Sequence, residues 1–280
     1  MGGLGNQLFQ FATGRRLARR HGSELMLDLG WFRYEGKEFG TPRSYQLGGF
    51  ELSARAAELP PRFVQAFEAG RRPRFSSLKL DVIRQREGDH AVDARVLNAS
   101  DDVLLIGYWQ SEAYFTDVAD TVKAELRLDT AFSEEYVRFG PVVDRPSAVA
   151  VHVRRGDYVS MPTTREFHGV LERDYYRRAL AHVAERVADP VFVAFSDEPD
   201  WVQGELAGEL PMTVVSGGDA LQELRLMSRC PHHAIANSSF SWWGAWLGER
   251  EASVVVAPRR WFADPRVDTS SIVPERWQRL

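Results

Sequence analysis

Five clusters of polar residues stand at places where chemistry could be done, and each follows a short apolar run. AVAVHV (148–153) is followed by Arg154-Arg155-Gly156-Asp157-Tyr158, and VFVAF (191–195) by Ser196-Asp197-Glu198. The run 212–215 precedes Ser216-Gly217-Gly218-Asp219, and Ala234 to Ala236 precedes Asn237-Ser238-Ser239. SVVVA (253–257) ends in Pro258-Arg259-Arg260-Trp261. Apolar runs of this length read as buried strands of a parallel sheet. In an open parallel sheet, ligands bind beyond the carboxyl ends of the strands. Five clusters at equivalent ends therefore predict a polar ligand on this half of the chain.

The residue types narrow that ligand. Strand alternation puts His152 and Arg154 on one side. Arginine presents a planar fork of donors that matches a phosphate. Asn237-Ser238-Ser239 leads into a helical pattern, and free N–H groups at a helix N-terminus attract anions. The expectation is a phosphate or diphosphate between Arg154 and the 237–241 turn. Asp197 or Asp219 could accept from a nucleobase, and guanine offers two adjacent donors to one carboxylate. Each residue alone has a plainer reading. Ser238 or Ser239 would serve as a helix cap, Asp157 and Asp197 as turn residues, His152 as a core histidine, and Trp242, Trp243 and Trp246 as core. Arg155-Gly156-Asp157 matches an adhesion tripeptide, but it directly follows a buried strand. The coincidence of clusters, not any one residue, favours a ligand site.

A further candidate lies at the start. Gly2-Gly3-Leu4-Gly5-Asn6-Gln7 is glycine-rich and opens a helix. It is neither a dinucleotide fingerprint nor a phosphate-binding loop with its Lys-Ser/Thr. Its glycines permit close backbone approach.

Strands alternating with helices must position these residues. Helical spacing is clear at 172–187, 220–229 and 240–247, and again at 6–20 with Gly22 past its end. Strands are expected at 25–29 and 103–108, and Ser111 is placed to cap a helix running to Leu126. Residues 30–101 carry little pattern, and the Arg71-Arg72-Pro73-Arg74 cluster reads as a solvated face. Alternation of this kind gives an α/β fold with parallel sheets. The Gly- and Pro-containing stretch 139–146 is the expected boundary between an N-terminal lobe, 1–140, and a C-terminal ligand-binding lobe, 141–280.

Composition excludes other classes. The chain has 280 residues, 44% hydrophobic and 26% charged, enough for two cored lobes. Its net charge of -4, from 35 basic and 39 acidic residues, gives no field for nucleic acid. A single cysteine, Cys230, leaves no internal disulfide and reads as a buried small hydrophobe. No apolar run approaches a membrane span and no signal peptide precedes the first motif, so the expected location is the cytoplasm.

Taken in order, the motifs resemble glycosyltransferase family 11, the α-1,2-fucosyltransferases. The matching stretches are GGLGNQLFQFATGRRLA (2–18), GYWQSEAYF (107–115), HVRRGDYV (152–159), FSDEPDWV (195–202), LMSRCPHHAIANSSFSWWGAWL (226–247) and VVVAPRRWF (254–262). They cover nearly the whole chain, and Asn-Ser-Ser-Phe-Ser-Trp-Trp is highly specific. The resemblance implies a GT-B type fold, two Rossmann-like lobes with parallel sheets facing across a cleft. It implies GDP-β-L-fucose as donor and inverting transfer to the 2-hydroxyl of a galactose-terminated oligosaccharide. It places Arg154 on the donor's β-phosphate, Asp197 near the nucleoside, and Asn237, Ser238, Ser239 and Ser241 in the donor-site stretch. His152 and Ser196 join them as donor-side residues, and Gly3, Gly5, Asn6 and Gln7 form a cleft loop. Family members carry a short strand ahead of that loop, of which only Met1 remains here.

Departure of GDP needs its growing charge stabilised, while the fucosyl carbon gains oxocarbenium character. Arg154 and the helix after Asn237 suit the first need without a metal. Asp157 is the candidate base for the acceptor hydroxyl, with Asp28 as an alternative. No cluster has metal-site spacing, so no metal and no cofactor beyond the donor is expected. The competing readings are a GDP-sugar transferase of another linkage and a catalytically silent carbohydrate- or nucleotide-binding protein on the same scaffold.

Overall fold

The structure is a computed structural model that describes residues 1–280 apart from 35, 39, 60, 61, 64, 65, 67–79, 87, 129, 130, 209 and 216. The Arg71–Arg74 cluster and Ser216 lie outside the described residues. The chain forms two compact units, Met1–Arg127 with Ser270–Ile272, and Leu128–Thr269 with Val273–Leu280.

The first unit is organised on the helix Leu4–His21. Leu8, Phe9, Phe11 and Ala12 are buried along it, and Gly22 ends it in the left-handed region at φ 66°. Among the described residues six short strands follow: β1 Leu25–Asp28, β2 Lys37–Glu38, β3 Thr41–Pro42, β4 Ala54–Ala57, β5 Asp81–Arg84 and β6 Val103–Ile106. β1 pairs with β4 and β5 with β6, both parallel, while β2 and β3 form an antiparallel pair. The helix expected from Ser111 to Leu126 is divided. Ser111 accepts from the Ala113 N–H and caps a 3₁₀ turn, Glu112–Tyr114. A second turn, Thr116–Val118, precedes the α-helix Ala119–Glu125.

The second unit carries a six-stranded parallel sheet: β7 Ala148–Val153, β8 Val191–Ser196, β9 Met212–Val215, β10 His232–Ala234, β11 Val255–Ala257 and β12 Gln278–Arg279. Their spatial order is β12-β11-β10-β7-β8-β9. The chain starts in the middle with β7, builds outward to β9, then returns to the other side of β7 and builds outward again. The order therefore reverses between β7 and β10, where a doubly wound sheet opens a crevice at its carboxyl edge.

Every residue of β7 is buried, and its alternation assigns its two faces. Val149, Val151 and Val153 pack with Tyr175, Tyr176, Leu180 and Val183 of the helix Arg173–Ala184. Ala148 and Ala150 pack with Tyr136, Val143, Leu226 and Met227 on the opposite face. With all side chains inside, the strand can show polarity only at its end, which is why AVAVHV and the residues after it are legible.

β10 lies two residues upstream of the expected Ala234–Ala236. Hydropathy conceals it because it contains His232 and His233, yet both rings have partners. His232 Nδ1 accepts from the Val254 N–H at 3.0 Å, and His233 Nε2 lies 3.0 Å from the Met227 carbonyl. β12 is a two-residue edge strand without a sequence pattern to mark it. Cys230 is fully buried, its thiol pushed up to about 12 by burial, in agreement with a structural role. Among the described residues no helix is long and apolar enough to cross a membrane.

Burial lowers the pKa of His233 from 6.5 to about 4 and that of His152 from 6.5 to about 3. Between those values and 6.5 the unfolded chain binds protons that the folded chain refuses. Stability therefore falls as pH falls through this window. The urea midpoint should decline from pH 6.5 to pH 4, and His233→Gln should flatten the slope by about one proton. A midpoint unchanged over that window would contradict the burial of these rings.

Candidate active site

Arg154 emerges from the carboxyl end of β7, beside the reversal point of the sheet. Its Nη2 pairs with Asp157 Oδ1 at 2.8 Å, and its Nη1 with Asp197 Oδ2 at 3.0 Å. Burial opposes the charge, but the two carboxylates outweigh it and raise the pKa of Arg154. Asp197 Oδ1 also accepts from the Arg155 backbone N–H at 3.0 Å. One carboxylate at the end of β8 thus holds both the side chain and the backbone of the loop after β7. The loop comes so close that a Cβ on Gly156 would sit 2.9 Å from Asp197 Oδ2, so any larger residue would have to displace that carboxylate.

The adjacent arginines do different work. Arg155 turns away, lies 4.2 Å over the Trp201 ring, donates to the Leu171 carbonyl at 3.3 Å and pairs with Glu198 at 3.6 Å. It anchors the loop, while the side chain of Arg154 keeps 30% of its surface exposed. His152 is buried beside Arg154, its ring 5.6 Å from Phe240. Burial, with the Arg154 charge adding to it, pushes its pKa down to about 3, so it stays neutral through the neutral range.

The second half of the site is the turn after β10. The helix Ser239–Gly248 begins there with Ser238 at its cap position, and the Ser238 side chain makes no cap bond. The plainer reading of Ser238 as a helix cap therefore fails on geometry. The first-turn N–H groups keep their capacity for an anion. Ser239 is half-buried at the same end. Ser241 is fully buried and donates toward the carbonyls of Ala236 and Ser238, at 3.4 and 3.2 Å, which fixes the turn from within. Asn237 is also inside the turn. Its Nδ2 donates to the carbonyls of His168 at 2.8 Å and Trp261 at 3.2 Å. The geometry gives Ser241 and Asn237 the shaping of the turn, and leaves Ser239 half-buried at the helix end, with Ser238 buried behind it. Trp242, Trp243 and Trp246 are core.

Ser196 ends β8, where its hydroxyl accepts from the Glu198 N–H at 2.9 Å. Asp219, at the end of β9, accepts from the N–H groups of Leu221 and Gln222 and from the Gln222 side chain. It caps the helix Ala220–Arg229. Asp28 Oδ1 accepts from the Gly30 and Leu59 N–H groups at 3.0 and 2.9 Å. Among the described residues no group of three or more His, Cys, Asp or Glu is arranged to hold a metal ion.

The glycine-rich opening of the first unit has a structural explanation of its own. Gly3 takes the extended cap position of the helix Leu4–His21, and Gly5 is buried in its first turn. Gln7 is 3% exposed. Its Nε2 donates to the carbonyls of Gly2 and Ser44, both at 2.9 Å, and its Oε1 accepts from the Gln46 N–H at 2.9 Å. Asn6 Oδ1 accepts from Gln110 Nε2 at 2.7 Å, joining GGLGNQ to GYWQ. The role of Tyr158, His168 and Trp261 around the turn was not visible in the sequence, although HVRRGDYV and PRRWF contain two of them.

A Rossmann-like unit with an arginine and a helix N-terminus at its reversal point has the arrangement of open parallel sheets that bind ligands at their carboxyl edge. Residues 85–280 match the family described as Glycosyl transferase family 11, and the chain belongs to that family of glycosyltransferases. It is 30% identical over 293 residues to an Alpha-1,2-colitosyltransferase of Escherichia coli, covering 100% of this chain and 96% of the relative. It is 34% identical over 156 residues to the Galactoside 2-alpha-L-fucosyltransferase SEC1 of Bos taurus, covering 52% of this chain and 42% of the relative. The crystal structure of POFUT1 in complex with GDP-fucose resembles it with a TM-score of 0.50 at 13% identity, covering 91% and 95% of the two chains. The fold is accordingly GT-B type, α/β with parallel sheets.

Gln7→Ala should cost roughly 3 kcal/mol of stability, because three backbone groups lose their partner. Chemical denaturation measures this, and a loss under about 1 kcal/mol would remove Gln7 as the tie of that loop.

Proposed function

We propose that this glycosyltransferase transfers L-fucose from GDP-β-L-fucose, with inversion, to the 2-hydroxyl of a galactose-terminated acceptor. The observation that carries the reading is Arg154 at the end of β7 with the adjacent β10 feeding the helix Ser239–Gly248, whose cap residue makes no side-chain cap bond, at the reversal point of the sheet. A diphosphate set there would meet the exposed part of a guanidinium whose Nη1 and Nη2 each already hold a carboxylate, and backbone N–H groups on the other side. As the bond to the anomeric carbon breaks, negative charge grows on the β-phosphate, where those donors would stabilise it. Ser238 and Ser239 add hydroxyls at the same end. Ser196 and Asp197, one strand out, are the proposed neighbours of the nucleoside, with neutral His152 beside them. Asp157 is the proposed acceptor of the hydroxyl proton, held in place through Arg154.

The complete-length likeness to a colitosyltransferase favours one second reading. Colitose is fucose without its 3-hydroxyl, so a GDP-activated colitose would place its diphosphate in the same way. Presenting both donors to the enzyme with lactose decides between them by product mass.

Arg154→Ala should lower kcat by roughly 10²–10³-fold, the usual effect of removing a main oxyanion donor. Arg154→Lys should recover little, because a point charge does not reproduce the fork. GDP release with GDP-fucose and lactose, in EDTA, measures both. Near wild-type turnover of Arg154→Ala would overturn the phosphate assignment, and loss of all transfer in EDTA would overturn the metal-free mechanism.

A further inference from the structure

The helix after β10 and the loop after β7 do not share a backbone hydrogen-bond ladder at their tips, yet the proposed chemistry needs them at a fixed separation. Besides the His152–Phe240 ring contact from the strand itself, a side chain of the loop after β7 reaches across. Tyr158, 7% exposed, lies with its ring 5.8 Å from the Arg154 guanidinium carbon. Its hydroxyl donates to the Asn237 carbonyl at 3.3 Å. Its other face stacks on His168, with ring centroids 4.6 Å apart and planes within 7°.

The contacts then close on themselves. The His168 carbonyl accepts from Asn237 Nδ2, and so does the Trp261 carbonyl. The next residue, Phe262, packs its ring 5.7 Å from His168 and 4.9 Å from Phe167. The PRRWF stretch, which the donor site does not otherwise use, is thereby the outer wall of this ring of contacts. Asn237 is gripped from both sides: Tyr158 holds its carbonyl, and His168 with Trp261 holds its amide.

We infer that Tyr158 is a positioning residue for leaving-group stabilisation, setting the distance between the Arg154 guanidinium and the first turn of the helix Ser239–Gly248. The inference rests on the proposed phosphate site. It adds a specific consequence. Arg154 and the helix end act together on the charge of the departing β-phosphate, which is greater in GDP than in the sugar ester. Loosening their separation should therefore weaken binding of GDP and of the transition state more than binding of the intact donor.

The test uses the full chain, Tyr158→Phe and Tyr158→Leu, with GDP affinity by calorimetry and steady-state kinetics with GDP-fucose and lactose. Tyr158→Phe keeps the ring stacked and loses one hydrogen bond. It should lower kcat about fivefold to tenfold and weaken GDP binding by a similar factor, with the KM for GDP-fucose changed less than about twofold. Tyr158→Leu, which also removes the ring from Arg154 and His168, should lower kcat further in the same pattern. A merely structural role would lower the melting temperature and the active fraction without separating kcat from KM. Unchanged kcat and GDP affinity in Tyr158→Phe, or equal changes in KM and GDP affinity, would overturn the inference while leaving the phosphate site standing. Failure of the wild-type chain to bind GDP would instead remove the phosphate reading and this inference with it.

Discussion

The second unit is arranged around one guanidinium. A charge at the end of a fully buried strand is costly unless it is paired and hydrogen-bonded. Arg154 meets that requirement with Asp157 from its own loop and Asp197 from the neighbouring strand. Much of the local sequence follows from this. Asp197 approaches the loop backbone, and glycine at 156 leaves room for its carboxylate. Arg155 must point elsewhere, and Trp201, Glu198 and the Leu171 carbonyl receive it. Asp157 must lie three residues on, one turn away, and the short helix Gly156–Ser160 brings it there. HVRRGDY is thus the solution to holding a cation at a sheet's reversal point with part of its fork still turned outward.

The reversal itself comes from topology. A chain that begins in the middle of the sheet and builds outward twice must leave a gap in its connections between its first and fourth strands. β7 delivers the arginine to that gap, and β10 delivers the turn that opens the helix Ser239–Gly248. Buried Ser241 and Asn237 spend their donors on the turn's own carbonyls and those of its neighbours, while Asn237 Oδ1 is buried without a hydrogen-bond partner. The uncapped Ser238 leaves the helix end available. Residues in one short motif therefore divide between building the turn and presenting it.

The sequence made the sheet of the second unit legible because β7 and β8 are buried on both faces and read as unbroken apolar runs. β10 was displaced because its two histidines look polar until their ring partners are seen. β12, two residues long, has no pattern at all. Arg154 and the 237–241 turn were found from their places at strand ends. Their division of labour was not, since whether Asn237 faces a ligand or the His168 carbonyl depends on a segment 69 residues away. Asp219 and Asp28 also do structural work that their strand-end positions do not reveal: one oxygen of each accepts from two backbone N–H groups. In the first unit, GGLGNQ owes its composition to packing that only the fold reveals, with Gln7 tied to Ser44 and Gln46 and Asn6 to Gln110.

The central claim is that Arg154 and the helix Ser239–Gly248 jointly hold the diphosphate of a GDP-sugar. A crystal structure of the chain with GDP tests it most directly. The account predicts the β-phosphate within hydrogen-bonding distance of the Arg154 guanidinium and of first-turn N–H groups of that helix, at the edge between β7 and β10. A diphosphate bound elsewhere on the sheet edge, or held without Arg154, would contradict it.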